Sequence, residues 1–310
     1  MHKLRLGTRG SQLAITQSRH IAHLLQSHLP DLEIEEIVIK TTGDQRSLQF
    51  PKLAAANSEG KGIFTREIEN ALLNNEIDFA VHSQKDLPPH MPPGLILAAT
   101  PPREIAADAL VSRKNYSLQT LPQKARIGTS SLRRQSQLLH LAPHCTVEPL
   151  RGNIDTRLRK LDEGEYDAII VAGAALHRLQ ITRGVLLDEA NFIPAPAQGA
   201  LAIQAREDDK STFELLQIIN DANAKCEVTA ERAVVEKLGA GCSTPLGARA
   251  VLQGKDLHLW AAVLSPDGSH RLFAEGKGTL CDTHHLQEAR ILGEKIAEHL
   301  LCQGADKYLD

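Results

Sequence analysis

The stretch Ala125-Arg126-Ile127-Gly128-Thr129-Ser130-Ser131-Leu132-Arg133-Arg134 decides the fold. Ala125 to Gly128 reads as a short strand, Thr129 to Ser131 as a polar turn, and the residues onward to Leu141 as a helix. Leu6-Gly7-Thr8 occupies the same place early in the chain, at a strand end ahead of a helix. A strand that turns through Gly-Thr into a helix, used twice, predicts two similar α/β lobes around a cleft.

Outward from this pair, each lobe can be followed in order. In the first, Leu4 to Gly7 is a strand, and Ile15, Ala22, Leu25 and Leu29 mark one face of a helix closed by Pro30. Ile34 to Lys40 is β-branched, Gln45 to Ser58 has no periodicity and reads as a long loop, and Gly60-Lys61-Gly62 opens a helix carrying Phe64, Ile68, Ala71 and Leu72. Ile77 to Val81 is a buried-type strand. The second lobe repeats the alternation, with strands at Ala109–Val111, Ala125–Gly128, Thr146–Leu150 and Tyr166–Ala172. Such alternation implies βαβ units and mainly parallel sheets. A Pro/Gly-punctuated link, Ala195 to Ala200, leads to a strand at Leu201–Ala205.

From about Asn223 the pattern changes to a helix, strands at Ala248–Leu252, Leu257–Leu264 and His270–Ala274, and a last helix from Leu286 to Leu301. That is a small antiparallel α+β domain. The expected division is residues 1–99 with 200–221 as lobe 1, 100–199 as lobe 2, and 222–310 as a C-terminal domain.

Composition narrows the function. Aromatic residues are 3% of the 310, too few for a base-stacking surface. Thirty-five basic and 38 acidic residues leave a net charge of −3, which gives no pull toward nucleic acid or anionic membrane. The cysteines, Cys145, Cys226, Cys242, Cys281 and Cys302, are scattered and never form Cys-x-x-Cys, against both a disulfide framework and a zinc site. The N-terminus enters a strand without an apolar leader, and no apolar run is long enough to span a bilayer, so the expected location is the cytoplasm. Phosphate-loop, dinucleotide and Gly-x-Ser-x-Gly motifs are missing.

What remains is chemistry for anions. Six arginines lie between Arg126 and Arg159, with few acids nearby, and Arg9 and Arg178 stand beside a strand-to-helix turn or small residues. Arginine suits bidentate binding of carboxylate or phosphate. The helix starts at Thr8–Ser11 and Thr129–Ser131 add N–H groups and a positive dipole end. Arg126, Arg159 and Arg183 read better as solvated helix faces. Asp86 follows the strand at Val81, where a parallel sheet opens onto a ligand crevice. A carboxylate there can steady a developing cation or move a proton; equally, Lys85 and Asp86 make a surface pair. His82 reads as a packed strand-end histidine. Cys242 sits in Gly239-Ala240-Gly241-Cys242-Ser243-Thr244-Pro245, a loop stripped of bulk after a helix C-terminus. That dipole end disfavours a standing thiolate, which suits a sulfur alkylated once better than one used each turnover.

Seven motifs carry a family resemblance, in order along nearly the whole chain: Gly-Thr-Arg-x-Ser at 7–11, Gly-Lys-Gly-Ile-Phe at 60–64, His-Ser-x-Lys-Asp-Leu-Pro at 82–88, Gly-Thr-Ser-Ser-Leu-Arg-Arg at 128–134, Leu-Arg-Gly-Asn at 150–153, Gln-Gly-Ala at 198–200 and Ala-Gly-Cys-Ser-Thr-Pro at 240–245. The chain thereby resembles the hydroxymethylbilane synthase (porphobilinogen deaminase) family. The resemblance implies two lobes of periplasmic-binding-protein type and a small C-terminal domain, a transferase acting as a monomer, and a dipyrromethane cofactor held by Cys242 as a thioether. Porphobilinogen units would be added to that primer with loss of ammonia, and a linear tetrapyrrole released by hydrolysis. The same resemblance makes Asp86 the catalytic carboxylate. It places Lys85, Ser131, Arg133, Arg134, Gln198 and Gly199 around the cofactor, and Arg9, Ser11, Arg151, Arg157 and Arg178 around substrate and growing chain.

Porphobilinogen is a dicarboxylate, so an arginine-rich wall is what a lengthening chain of such units requires. The chain departs from the family at Ala197 and Ala202, where glycine is usual, at Gln204 for glutamate, at Asn57 for lysine, at His90 for glutamate and at Ala107 for arginine. Two other readings are a two-lobed anion-binding receptor or effector domain, which leaves Cys242 and the C-terminal domain without a role, and a cysteine hydrolase, which lacks a histidine partner for Cys242.

Overall fold

The computed structural model describes residues 3–40, 65–88, 90–241, 244–281 and 283–309. The long loop expected at Gln45–Ser58, the Gly60-Lys61-Gly62 turn with Phe64, the departure at Asn57, and Cys242 lie outside these residues. The chain opens with β1 (Lys3–Arg9), α1 (Gln12–His28), β2 (Glu33–Ile39), α2 (Arg66–Leu73), β3 (Phe79–Ser83) and β4 (Leu95–Ala99). There follow β5 (Asp108–Ser112), β6 (Arg126–Gly128), α3 (Leu132–Leu141), β7 (Thr146–Glu148), α4 (Ile154–Asp162), β8 (Ala168–Ala172), α5 (Gly173–Arg178) and β9 (Val185–Leu186). The last part comprises β10 (Leu201–Arg206), α6 (Lys210–Gln217), α7 (Ala222–Leu238), β11 (Leu246–Gln253), β12 (Asp256–Leu264), β13 (Arg271–Thr279) and α8 (His285–Cys302). Two compact units result, residues 1–103 with 200–224, and residues 104–199 with 225–310.

The first unit holds a five-stranded sheet in the order β2-β1-β3-β10-β4, and the second holds one in the order β7-β6-β8-β5-β9. The two have one topology, as the repeated Gly-Thr turn predicts. In each, four strands point the same way and a single antiparallel strand lies between the third and the edge: β10 between β3 and β4, β5 between β8 and β9. The sheets are thus mainly parallel, as expected, with one antiparallel strand inserted in each. The parallel strands are joined through helices, whereas β5 and β10 are not reached by a βαβ crossover, so no right-handed unit fixes their direction.

Burial explains the helices. Ser11 caps α1 by accepting from the Ala14 amide at 3.3 Å, and Ser131 caps α3 by accepting from Arg134 at 3.4 Å. The face that α1 buries is Gln17, Ser18, Ile21 and Leu25, rotated from the stripe expected through Ile15 and Ala22. Leu6, Ile21, Leu25 and Phe79 are fully buried in the first core, each contributing about 1.5–3 kcal/mol of transfer free energy.

The C-terminal segment has its own antiparallel sheet, β11-β12-β13, and its own core between that sheet and α7 and α8. It lies in one compact unit with residues 104–199, joined through Ile193 against Ala262 and Leu264. Helix α7 stops at Gly239, in the left-handed region at φ 64°, with Gly239 donating to Glu236 and Ala240 donating to Val235. This paired closure is a Schellman ending.

The link before β10 is under backbone strain. Gly199 has φ 87°, and a Cβ there would lie 2.3 Å from the Glu104 carbonyl oxygen, so only glycine fits. Ala197, where the family usually has glycine, holds φ 63° while its amide donates to Glu231 at 2.6 Å. A left-handed alanine costs about 1–2 kcal/mol, and glycine loses about 0.5–1 kcal/mol more backbone entropy on folding. Ala197→Gly is therefore expected to stabilise the protein by about 0.5–1 kcal/mol, raising the thermal midpoint by roughly 1 °C for a chain this long; an unchanged or lower midpoint contradicts the strain.

Candidate active site

In the first unit the C-terminal ends of β1 and β3 lie side by side, because β1 and β3 are paired in parallel. This brings Arg9 and Ser11 from one strand-to-helix turn beside Ser83 and Asp86 from the other. The 3-10 turn Gln84–Asp86 follows β3 directly and leaves Asp86 exposed, with Lys85 half-buried. Arg9, Ser11, Gln17, Thr65, His82, Ser83 and Asp86 line one pocket of about 90 Å³. It has a carboxylate, a guanidinium and a helix N-terminus on its walls, which is a setting for a ligand bearing both acid groups and N–H donors.

Gln17 belongs to this pocket and was not legible as a site residue. Its side-chain amide donates to Ser83 Oγ at 3.0 Å, and it is buried on the face of α1 that also carries Ile21 and Leu25. A polar residue in an otherwise apolar face at helical spacing is the signal that could have found it. His82 is packed, as expected: it is 7% exposed, and its Nε2 lies 3.1 Å from Gln204 Oε1. Burial lowers its pKa to about 4, Gln204 opposes that shift, and the charge of Arg9 adds to it.

In the second unit the equivalent turn builds a different centre. Asp108, the first residue of β5, is fully buried, and two consecutive arginines from the first turn of α3 close on it. Arg134 donates through Nε and Nη2 to Asp108 Oδ1 at 3.0 and 2.7 Å and through Nη1 to the Ile170 carbonyl at 3.1 Å. Arg133 Nη2 lies 2.7 Å from Asp108 Oδ2, and its Nη1 donates to the Ile193 carbonyl at 2.7 Å. Gln198 Nε2 donates to Asp108 Oδ1 at 3.0 Å and to the Ala106 carbonyl at 2.7 Å. Burial pulls the Arg133 guanidinium below its ordinary value, and Asp108 opposes that shift.

Arg133 and Arg134, at 4% and 6% exposure, are thus neither a solvated face nor an open grip for an anion. Each spends donors on internal acceptors: Arg133 on Asp108 and the Ile193 carbonyl, Arg134 on Asp108 and the Ile170 carbonyl. Gln198, fully buried, is occupied in the same way. Asp108 itself was not singled out in the sequence, where it stood only as the residue after the Ala107 departure.

The other arginines divide by exposure. Arg178 donates from Nη2 to the Gly199 carbonyl at 2.7 Å, and burial lowers its pKa to about 10. Arg157 Nε donates to the Gly152 carbonyl at 2.8 Å, while Arg151, at the turn before α4, is exposed. Arg126, Arg159 and Arg183 pair with the partly exposed acids Asp167, Glu163 and Asp162, as solvated faces do. A larger hollow of about 610 Å³ lies on the sheet β11-β12-β13, with Val251, His258, Trp260 and Lys277 among its lining residues. It contains none of the residues that the sequence marks, and the smaller pocket with Asp86 is the one with convergent chemistry.

Around Cys242 the described neighbours form a closed turn. The Gly241 amide donates to Thr244 Oγ1 at 3.0 Å, and the Thr244 amide donates to the Gly241 carbonyl at 3.1 Å. Among the described residues, nothing lies within 4 Å of where a Cβ on Gly239 or Gly241 would sit. Burial raises the thiols of Cys145 and Cys226, the latter to about 11, which makes both poor nucleophiles. Among the described residues, no group of three or more histidines, cysteines or carboxylates is placed to hold a metal, and no helix is long and apolar enough to cross a membrane.

The buried Asp108 cluster gives a direct test. Asp108→Asn leaves two buried guanidiniums without their carboxylate, and breaking a buried pair in this way costs about 3–5 kcal/mol. Urea unfolding of the variant should show a loss in that range; a loss below 1 kcal/mol contradicts the assigned role.

Comparison with known proteins agrees with this chemistry. Residues 4–214 match the family model described as porphobilinogen deaminase, dipyromethane cofactor binding domain, and residues 225–302 match that of the porphobilinogen deaminase C-terminal domain. The chain is 44% identical over 306 residues to the porphobilinogen deaminase of Syntrophomonas wolfei, covering 98% of this chain and 97% of that one. It is 44% identical over 312 residues to that of Acidithiobacillus ferrooxidans, covering 100% and 98%. Among solved structures, the methionine binding protein MetQ is similar at a TM-score of 0.43 and 12% identity, over 72% of this chain and 91% of that one. With motifs, domain order and full-length relatives in agreement, the chain belongs to the porphobilinogen deaminase family, the hydroxymethylbilane synthases of tetrapyrrole biosynthesis, transferases that carry a dipyrromethane cofactor.

Proposed function

We propose that this chain condenses porphobilinogen units stepwise, with Asp86 as its catalytic carboxylate, and releases hydroxymethylbilane. The observation that supports this reading most strongly is the position of Asp86 on a turn at the end of β3, in one pocket with Arg9 and Ser11. Loss of ammonia from porphobilinogen leaves positive charge spread over the pyrrole and its methylene carbon. A carboxylate accepting from the pyrrole N–H stabilises that charge as it develops, which lowers the barrier more than it tightens substrate binding. Arg9 and the capped start of α1 at Ser11 take the substrate's acid groups, and Lys85 takes an acid group of the cofactor.

In the second unit, Ser131 is a candidate contact for cofactor acid groups, and Arg151, Arg157 and Arg178 for those of substrate and growing chain. Arg178 would exchange its bond to the Gly199 carbonyl for a ligand carboxylate at little cost in unmatched donors. Two guanidiniums over one carboxylate leave the Arg133–Arg134–Asp108 cluster with surplus positive charge, which favours an anionic cofactor side chain beyond it. Gln198 and Gly199 shape the backbone at that point. Cys242 would hold the dipyrromethane, which when bound would supply the pyrrole carbon that takes up the first unit. A monomer working in the cytoplasm, without nucleic acid or membrane as partner, completes the proposal; an acidic balance of 38 against 35 charges agrees with it.

The test is Asp86→Asn in the purified holoprotein. The amide keeps the shape but loses the charge, so turnover of porphobilinogen should fall by about 10²-fold or more, with an unchanged circular dichroism spectrum. Near-native turnover removes Asp86 from the catalytic role.

A further inference from the structure

His82 has a definite place in this pocket that packing alone does not explain. It is the penultimate residue of β3, its side chain is buried, and it lines the same pocket as Arg9 and Asp86. Gln204 reaches it from the neighbouring antiparallel strand β10: the residue opposite His82 is Ala202, and Gln204, two further on, shares its face. The Gln204 side-chain nitrogen points to Met91 Sδ at 3.4 Å, so its oxygen faces His82 and accepts from Nε2–H at 3.1 Å. That assignment leaves Nδ1 as the unprotonated nitrogen of a neutral ring.

Among the described residues, the charged groups around the imidazole are few. Strand β1 brings Arg9, helix α1 brings the neutral Gln17, the turn after β3 brings Lys85 and Asp86, and β10 brings the neutral Gln204. A proton on His82 would repel Arg9 and draw on the negative charge of Asp86. With His82 neutral, the described lining holds one cation and one carboxylate, and the charge of Asp86 stays available to a ligand.

We propose that His82 is a positioning residue that, buried in the pocket wall and tied to Gln204, seats the Ser83–Asp86 turn without competing for the Asp86 carboxylate. This inference rests on the reading of Asp86 as catalytic. Its physical premise agrees with the direction in which burial moves the imidazole.

The experiment has two readouts. Histidine ring proton resonances of the holoprotein are followed against pH, with His82 assigned by its loss in His82→Asn, and the pH profile of kcat/KM is measured on the same samples. In the native protein the His82 signal should stay unchanged from pH 8 down to about 5.5. In Gln204→Glu the new carboxylate pairs with the ring and raises its midpoint above the ordinary value near 6.5. Below that midpoint the pair is neutral; above it the proton leaves and a bare carboxylate faces the pocket. The variant's kcat/KM for the dicarboxylate substrate should therefore fall roughly threefold or more on the alkaline side of the midpoint seen by resonance.

A native His82 that titrates with a midpoint above 6 overturns the proposal without need of any variant. So does a Gln204→Glu protein whose His82 midpoint rises while its kcat/KM profile superimposes on the native one. A native holoprotein with no turnover overturns the functional reading and the positioning role together, while the titration separately decides whether the pair is neutral.

Discussion

The buried charge of Asp108 is the constraint on which the second unit depends. Transfer of one carboxylate into a protein interior is tolerated only when cations and donors close around it. Here the closing groups come from four places: Arg133 and Arg134 at the start of α3, Gln198 in the link before β10, and, through the arginines' other donors, the carbonyls of Ile170 in β8 and Ile193. One aspartate thus fixes the first turn of a helix, the start of a strand and the strained link to each other. The same turn places Ser131 and leaves the cluster with more positive than negative charge.

The first unit solves a different problem with the same topology. There the sheet end stays open, and Asp86 is exposed rather than encased. Arg9 stands near it, the helix cap at Ser11 adds donors, and His82 behind them carries a hydrogen bond instead of a charge. Two lobes that repeat one strand order have diverged in the carboxylate beside the Gly-Thr turn: an open one in the first, proposed above as catalytic, and a closed, structural one in the second.

Most of the fold could be read from the chain because its periodicities are clean. The strands at Leu4, Ile34, Ala125, Tyr166 and Leu201 and the helix stop at Gly239 all stand where local pattern and turn chemistry put them. The direction of β5 and β10 was not legible, since a strand's sequence does not encode which neighbour it pairs with. Strand β13 extends past Ala274 to Thr279 because Gly276 packs against Leu292 and Ile296 of α8, and a glycine-rich polar run hides that contact. At the site, Asp86, Arg9 and Ser11 stood out as charge or cap residues at strand ends. Asp108, Gln17 and Gln204 did not, because a buried polar side chain is recognisable only once its partners, 26 to 122 residues away in sequence, are brought to it. Arg133 and Arg134 were legible as special and not as buried, for the same reason.

The central claim is that Cys242 is an anchor for a permanent covalent group and not a nucleophile spent in every cycle. The helix that precedes it closes with a Schellman ending at Gly239 and Ala240. Intact mass of the purified protein beside Cys242→Ala measures the attachment directly. The account predicts a native mass above that of the bare chain by one dipyrromethane, and a Cys242→Ala protein at bare-chain mass that does not turn over porphobilinogen. A native protein that turns over porphobilinogen at bare-chain mass, or an increment that survives in Cys242→Ala, would contradict it.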